Sequence, residues 1–137
     1  MRSIFLILIA AVLLVSCDGR SAEVEQELTY HDVQELGGIP VPDEAKQTAL
    51  DPAAQSGYYE VSRPFETFYA DYHDKLKQEG WKVSEVESHK VVAAEKNDTK
   101  LLVIVTRLKG SDEASNLVFR AYPKSLDQPK SSENEGS

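Results

Sequence analysis

The chain predicts an α+β domain in which one amphipathic helix packs on an antiparallel sheet, in the order β-α-β-β-β-β. Three observations lead there. Phe65, Phe68, Tyr69, Tyr72 and Leu76 fall at i, i+3, i+4, i+7 and i+11, which places five large apolar side chains on one helical face. Stretches rich in β-branched and aromatic residues flank that helix and are separated by polar turns. One of them, Leu101 to Val105, is apolar at every position, as expected of a central strand with at least partial cover on both sides.

The folded span is expected at residues 39–122. It opens on Ile39-Pro-Val-Pro-Asp-Glu-Ala, read as an extended edge or coil because its prolines cannot donate ladder hydrogen bonds. Gly57 to Val61 is the first strand. The helix follows, with Ser62 as expected N-cap and Pro64 in the first turn. Gly80 suits the left-handed position after the last turn, with Trp81 then packing back on Leu76 in a Schellman ending. Lys82 to Glu87, Lys90 to Lys96, Leu101 to Leu108 and Leu117 to Tyr122 are the remaining strands. Asn97-Asp98-Thr99 is a tight hairpin turn, and Gly110 to Ser115 is a looser one. Strand order is left open, since the first strand need not pair with the second.

The flanks differ from this core. From Asp18 to Leu36 there are six acids and one base, and residues 17–38 read as an acidic, solvated tether ending in Gly37-Gly38. Residues 123–137 hold one large apolar side chain, Leu126, too few to offset the entropy of ordering, and a disordered tail is expected. The formal net charge of −8 and the lack of clustered Lys and Arg exclude a nucleic-acid partner.

At the start, Met1-Arg2-Ser3 carries one positive charge, and Ile4 to Val15 follows as twelve apolar residues. That is the pattern of a secretory signal peptide at residues 1–16. A helix of this length measures ~18 Å, against the ~30 Å hydrocarbon core of a bilayer. Leu14-Val15-Ser16-Cys17 resembles the lipobox of bacterial lipoproteins. The resemblance implies cleavage before Cys17, a diacylglycerol on its thiol, and a fatty acyl chain such as palmitate on the new amine. Two or three chains hold a protein on a membrane essentially permanently. Asp18, directly after that cysteine, resembles the enteric signal for retention at the inner membrane, so a periplasm-facing protein lipid-anchored to the cell membrane is implied, inner rather than outer. The stretch Phe65 to Trp81 with its proline-rich lead also loosely resembles small bacterial envelope proteins, without an activity to transfer.

Chemistry is sparse. Cys17 is the only cysteine, so neither an internal disulfide nor a CxxC site can form. His31, His73 and His89 are not at metal-ligand spacing, and no metal or cofactor is expected. Glu85 and Glu87 alternate about Val86 and are expected on one water-facing side of their strand. No nucleophile elbow, phosphate loop or carboxylate pair stands out, so no enzyme is expected. The aromatics are concentrated, and Tyr58, Tyr69, Tyr72 and Trp81 are the candidate lining of a cleft between helix and sheet. Two functions remain: an interaction or assembly module for an envelope partner, or a carrier of a small lipid, sugar or peptide in that cleft.

Overall fold

The computed structural model describes residues 27–127, and residues 1–26 and 128–137 lie outside that range. Eight strands and one α-helix follow in order: β1 Tyr30–Val33, β2 Ile39–Pro42, β3 Lys46–Asp51, β4 Ser56–Val61, α1 Phe65–Gln78, β5 Lys82–Glu87, β6 Val91–Lys96, β7 Thr99–Arg107 and β8 Ser115–Ala121. β1 and β2 form a two-stranded sheet. The others form an antiparallel sheet in the order β3-β4-β8-β7-β6-β5, with α1 on one face. This is the α+β class expected, and β4-α1-β5-β6-β7-β8 is the expected run. Three strands precede it.

Strand alternation builds the core. Tyr59 and Val61 of β4, Leu117 and Phe119 of β8, Leu101, Val103 and Val105 of β7, and Val92 and Ala94 of β6 share the helix-facing side and are buried. Phe68, Tyr72 and Leu76 descend onto them from α1. Phe68 and Tyr72 lie 5.5 Å apart between ring centroids, and Tyr72 lies 6.5 Å from Phe119. In the sheet order, β4 and β5 are separated by three strands, a lateral gap of about 19 Å at ~4.8 Å per strand. A helix of α1's length, about 21 Å, is long enough to carry the chain across it.

Both ends of the helix follow from local chemistry, one of them differently from expectation. Pro64, not Ser62, occupies the N-cap position, with Phe68 N–H bonding its carbonyl at 3.0 Å. A start at Ser62 would put Arg63 in helical geometry directly ahead of a proline, which the pyrrolidine ring disfavours. At the other end the Schellman pairing forms as expected: Gly80 N–H bonds Lys77 O at 3.1 Å, Trp81 N–H bonds Leu76 O at 2.9 Å, and Gly80 has φ +86°. Lys96 Nζ donates to the Glu79 carbonyl at 2.7 Å, meeting another terminal acceptor.

The expected tether runs too far. Residues 30–33 of it form β1, paired with β2, and Val33 and Leu36 are only 7 % and 0 % exposed. The cause lies in Gly57: Leu36 Cδ1 sits 3.0 Å from where a Cβ on that glycine would stand, so the missing side chain makes room for the leucine. The Ile39-Pro-Val-Pro stretch is extended, as expected. Asp43 N–H bonds Thr29 O at 2.9 Å, and counting back by twos places Pro40 and Pro42 where the strand's nitrogens point away from β1. Part of the expected tail, residues 123–127, is ordered, and the rest of it lies outside the described residues. Lys124–Asp127 forms a 3-10 turn, and Lys100 Nζ holds Asp127 at 3.0 Å.

Candidate functional site

The four aromatics expected to line a cleft do not converge. Tyr72 and Trp81 are 1 % and 3 % exposed and belong to the core. Tyr58 points to the opposite face of the sheet, because on β4 its neighbour Tyr59 takes the inward position, edge-on to Phe119 at 5.8 Å. Tyr69 is partly exposed on α1. His73 stacks on its ring at 6.1 Å between centroids, and His89 from the β5–β6 turn lies at the same distance on a tilt. The sequence puts those two histidines sixteen residues apart, and only the tertiary fold joins them on one tyrosine. The Tyr69 hydroxyl and the Trp81 Nε1 find no hydrogen-bond partner among the described residues.

What the fold assembles instead is an apolar field on the second face of the six-stranded sheet. Ala49, Tyr58, Val118, Ile104 and Val91 are successive cross-strand partners, a row across five strands. Beside it, Leu102 lies between Ala93 and Arg120. These residues alternate with the buried ones, and Tyr58, Val91, Leu102, Ile104 and Val118 are all partly exposed. The one α-helix among the described residues lies on the other side. Polar and charged partners ring the field: Lys46 opposite Glu60, Glu95 between Lys82 and Lys100, and Asn116 opposite Thr106. The Arg120 guanidinium lies 6.0 Å from the Tyr58 ring centroid, with its nitrogen 3.4 Å from that hydroxyl. The double-sided apolar stretch of β7 was the sequence signal for this surface.

Both edges of the six-stranded sheet are irregular. β3 carries an irregularity between Gln47 and Ala49, and β5 one between Glu85 and Glu87. Edge bulges and charges discourage another strand from adding to a sheet. The β5 bulge also corrects an expectation. Glu85 pairs with the inward-facing Val92 while Glu87 pairs with the outward-facing Val91, so the two carboxylates stand on opposite faces.

A second concavity, about 450 Å³, lies between α1 and the β1 approach, lined by Leu28, Tyr30, Arg63, Phe68, Asp71 and Lys75 among others. Burial, and then the Asp71 carboxylate, push the Tyr30 hydroxyl up to about 12. Lys75 Nζ sits 5.0 Å from the Tyr30 ring and 2.8 Å from Glu79. Arg63 Nε holds Glu44 at 3.2 Å. The lining mixes aromatic rings with both signs of charge, which suits a polar ligand better than an acyl chain.

Cys17 and Asp18, the expected lipidation and sorting residues, lie outside the described residues. No helix among the described residues is long and apolar enough to cross a membrane, and no group of three or more His, Cys, Asp or Glu is placed there to hold a metal. No family profile, curated protein or solved structure matches this chain.

Proposed function

We propose that this chain is a lipid-anchored cell-envelope protein whose α+β domain is a non-catalytic interaction or assembly module. Its working surface is the uncovered sheet face around Ile104. The observation that carries this reading is the placement of Tyr58, Val91, Leu102, Ile104 and Val118 together on a face that no described helix covers. The address comes from Leu14-Val15-Ser16-Cys17, with Asp18 favouring the inner membrane. Lipid on Cys17 would leave the domain facing the periplasm at the membrane surface.

Two measurements test the reading. Labelling with a palmitate analogue should mark the native chain and not Cys17→Ala, and the variant should leave the membrane fraction; a variant that stays fully membrane-bound rejects the anchor. Isolation from detergent-solubilised membranes should recover a partner, or a differently tagged second copy, with the native chain and lose it with Ile104→Asp. Equal recovery with both rejects the face.

The groove beside Tyr30 supports a second reading, a carrier of a small polar ligand, because its volume is in the range of ligand sites. Native mass spectrometry of the full chain in detergent separates the two, since a carrier retains a bound small molecule and an assembly module does not.

A further inference from the structure

We propose that the occupant of the uncovered face is a second copy of this chain, packed sheet to sheet; the inference rests on the interaction-module reading above and names its partner. Charge and area carry it.

The face bears Lys46, Lys82, Lys100 and Arg120 against Asp51, Glu60, Glu87 and Glu95 in the outward positions of the strands. With Asp127, which Lys100 also holds, the face carries four cations against five acids and is close to neutral, on a chain whose formal net charge is −8. Two copies approaching by any strongly acidic side repel each other, whereas two approaching by this face bring together nearly neutral surfaces with alternating rims. A neutral face also offers no electrostatic pull toward anionic headgroups, which favours a protein occupant over the lipid surface itself.

The dimensions agree. Six strands about 4.8 Å apart, each with about seven residues at ~3.3 Å rise, span roughly 29 by 23 Å, or ~650 Å² per copy before side-chain relief is counted. Stable interfaces bury ~600–1,000 Å² per partner, so the face is large enough for one, provided that it is used whole. A twofold axis through its centre would set the row Tyr58, Val118, Ile104 and Val91 against the same row of the second copy, in the aligned packing of a β-sandwich about 10 Å thick. Lipid anchors in one membrane would raise the effective concentration of the two domains.

The test is photo-crosslinking of the full chain in its own membrane, with benzoylphenylalanine replacing Ile104 and, as control, Lys77 on the exposed side of α1. An adduct of doubled mass containing only this chain's peptides, formed from position 104 and not from 77, is the expected result. Self-adducts of equal yield from both positions would overturn the inference as mere crowding. An adduct from 104 with a different protein would overturn it while leaving the interaction-module reading intact. No adduct from 104 would overturn both. In detergent, Ile104→Lys and Tyr58→Lys should each weaken self-association of the full chain by about tenfold or more with an unchanged near-ultraviolet CD spectrum. A native chain that sediments as a monomer would also defeat the inference.

Discussion

The Tyr72 hydroxyl donates to the Pro40 carbonyl over 2.7 Å, and both residues are fully buried. This bond joins the centre of α1 to the small β1–β2 sheet, and it meets an acceptor that the two-stranded ladder leaves unpaired. Tyr72→Phe keeps the ring and strands the carbonyl without water. A loss of about 1–3 kcal/mol in urea unfolding is expected, and an unchanged midpoint would show that the hairpin docks by apolar contact alone.

Two glycines should respond differently to alanine. Gly80 has φ +86° with only the Lys96 Cε at 4.0 Å, so Gly80→Ala meets backbone strain alone, about 1–2 kcal/mol. Gly37 has φ +77°, and a Cβ there would overlap the Thr99 side chain. Gly37→Ala should therefore lower stability more than Gly80→Ala. Thermal melts of the two variants in one buffer check the ranking, and its reversal would mean that the 3-10 turn at Gln34–Leu36 can shift at little cost.

Alkaline titration should separate Tyr30 from the usual tyrosine range near pH 10. Its hydroxyl is raised to about 12 by burial and then by Asp71, so the folded state holds that proton more tightly than the unfolded chain does. The stability from this difference is complete below about pH 10 and is lost as the pH rises through 12. Phenolate absorbance should show a late phase that shrinks by one tyrosine in Tyr30→Phe, the buried Tyr72 hydroxyl being raised as well. An unaltered titration curve in that variant would refute the assignment.

Acid should loosen the start of the described fold. The Asp43 carboxyl is held below the usual carboxylate range, first by the Thr29 hydroxyl and then by His31, whose Nδ1 lies 2.8 Å away. A depressed value means that this contribution is present above about pH 4 and is lost as the pH falls through the folded-state value. Carbon-detected NMR of the carboxyl should follow it, and Thr29→Val should raise its midpoint. A midpoint that Thr29→Val leaves in place would contradict the stated cause.

The helix and the four strands after it were legible in the sequence because their cues agree: apolar spacing, a Gly-Trp ending and polar turns all point the same way. β3 was not. It is an exposed edge strand whose Lys-Gln-Thr-Ala-Leu-Asp sequence commits mainly Leu50 to the core and whose bulge breaks the alternation. β1 and the turn after it were hidden for a different reason, since Val33 and Leu36 sit among acids and Leu36 is received by the space above Gly57, which is information from another part of the chain. The candidate surface was half legible. Strand period two requires that only one of Tyr58 and Tyr59 face the helix but does not say which, so Tyr58 alone of the expected cleft residues stands on the other face. The histidines against Tyr69 come from separate elements and left no local pattern at all.

The bulges on β3 and β5 also bear on stoichiometry. Both edge strands of the six-stranded sheet are irregular, which discourages another strand from adding to either side, so the sheet offers a partner its face rather than its edges. If the proposed pair forms through that face, the irregular backbone at Gln47–Ala49 and Glu85–Glu87 works against its growth into a longer sheet or fibre.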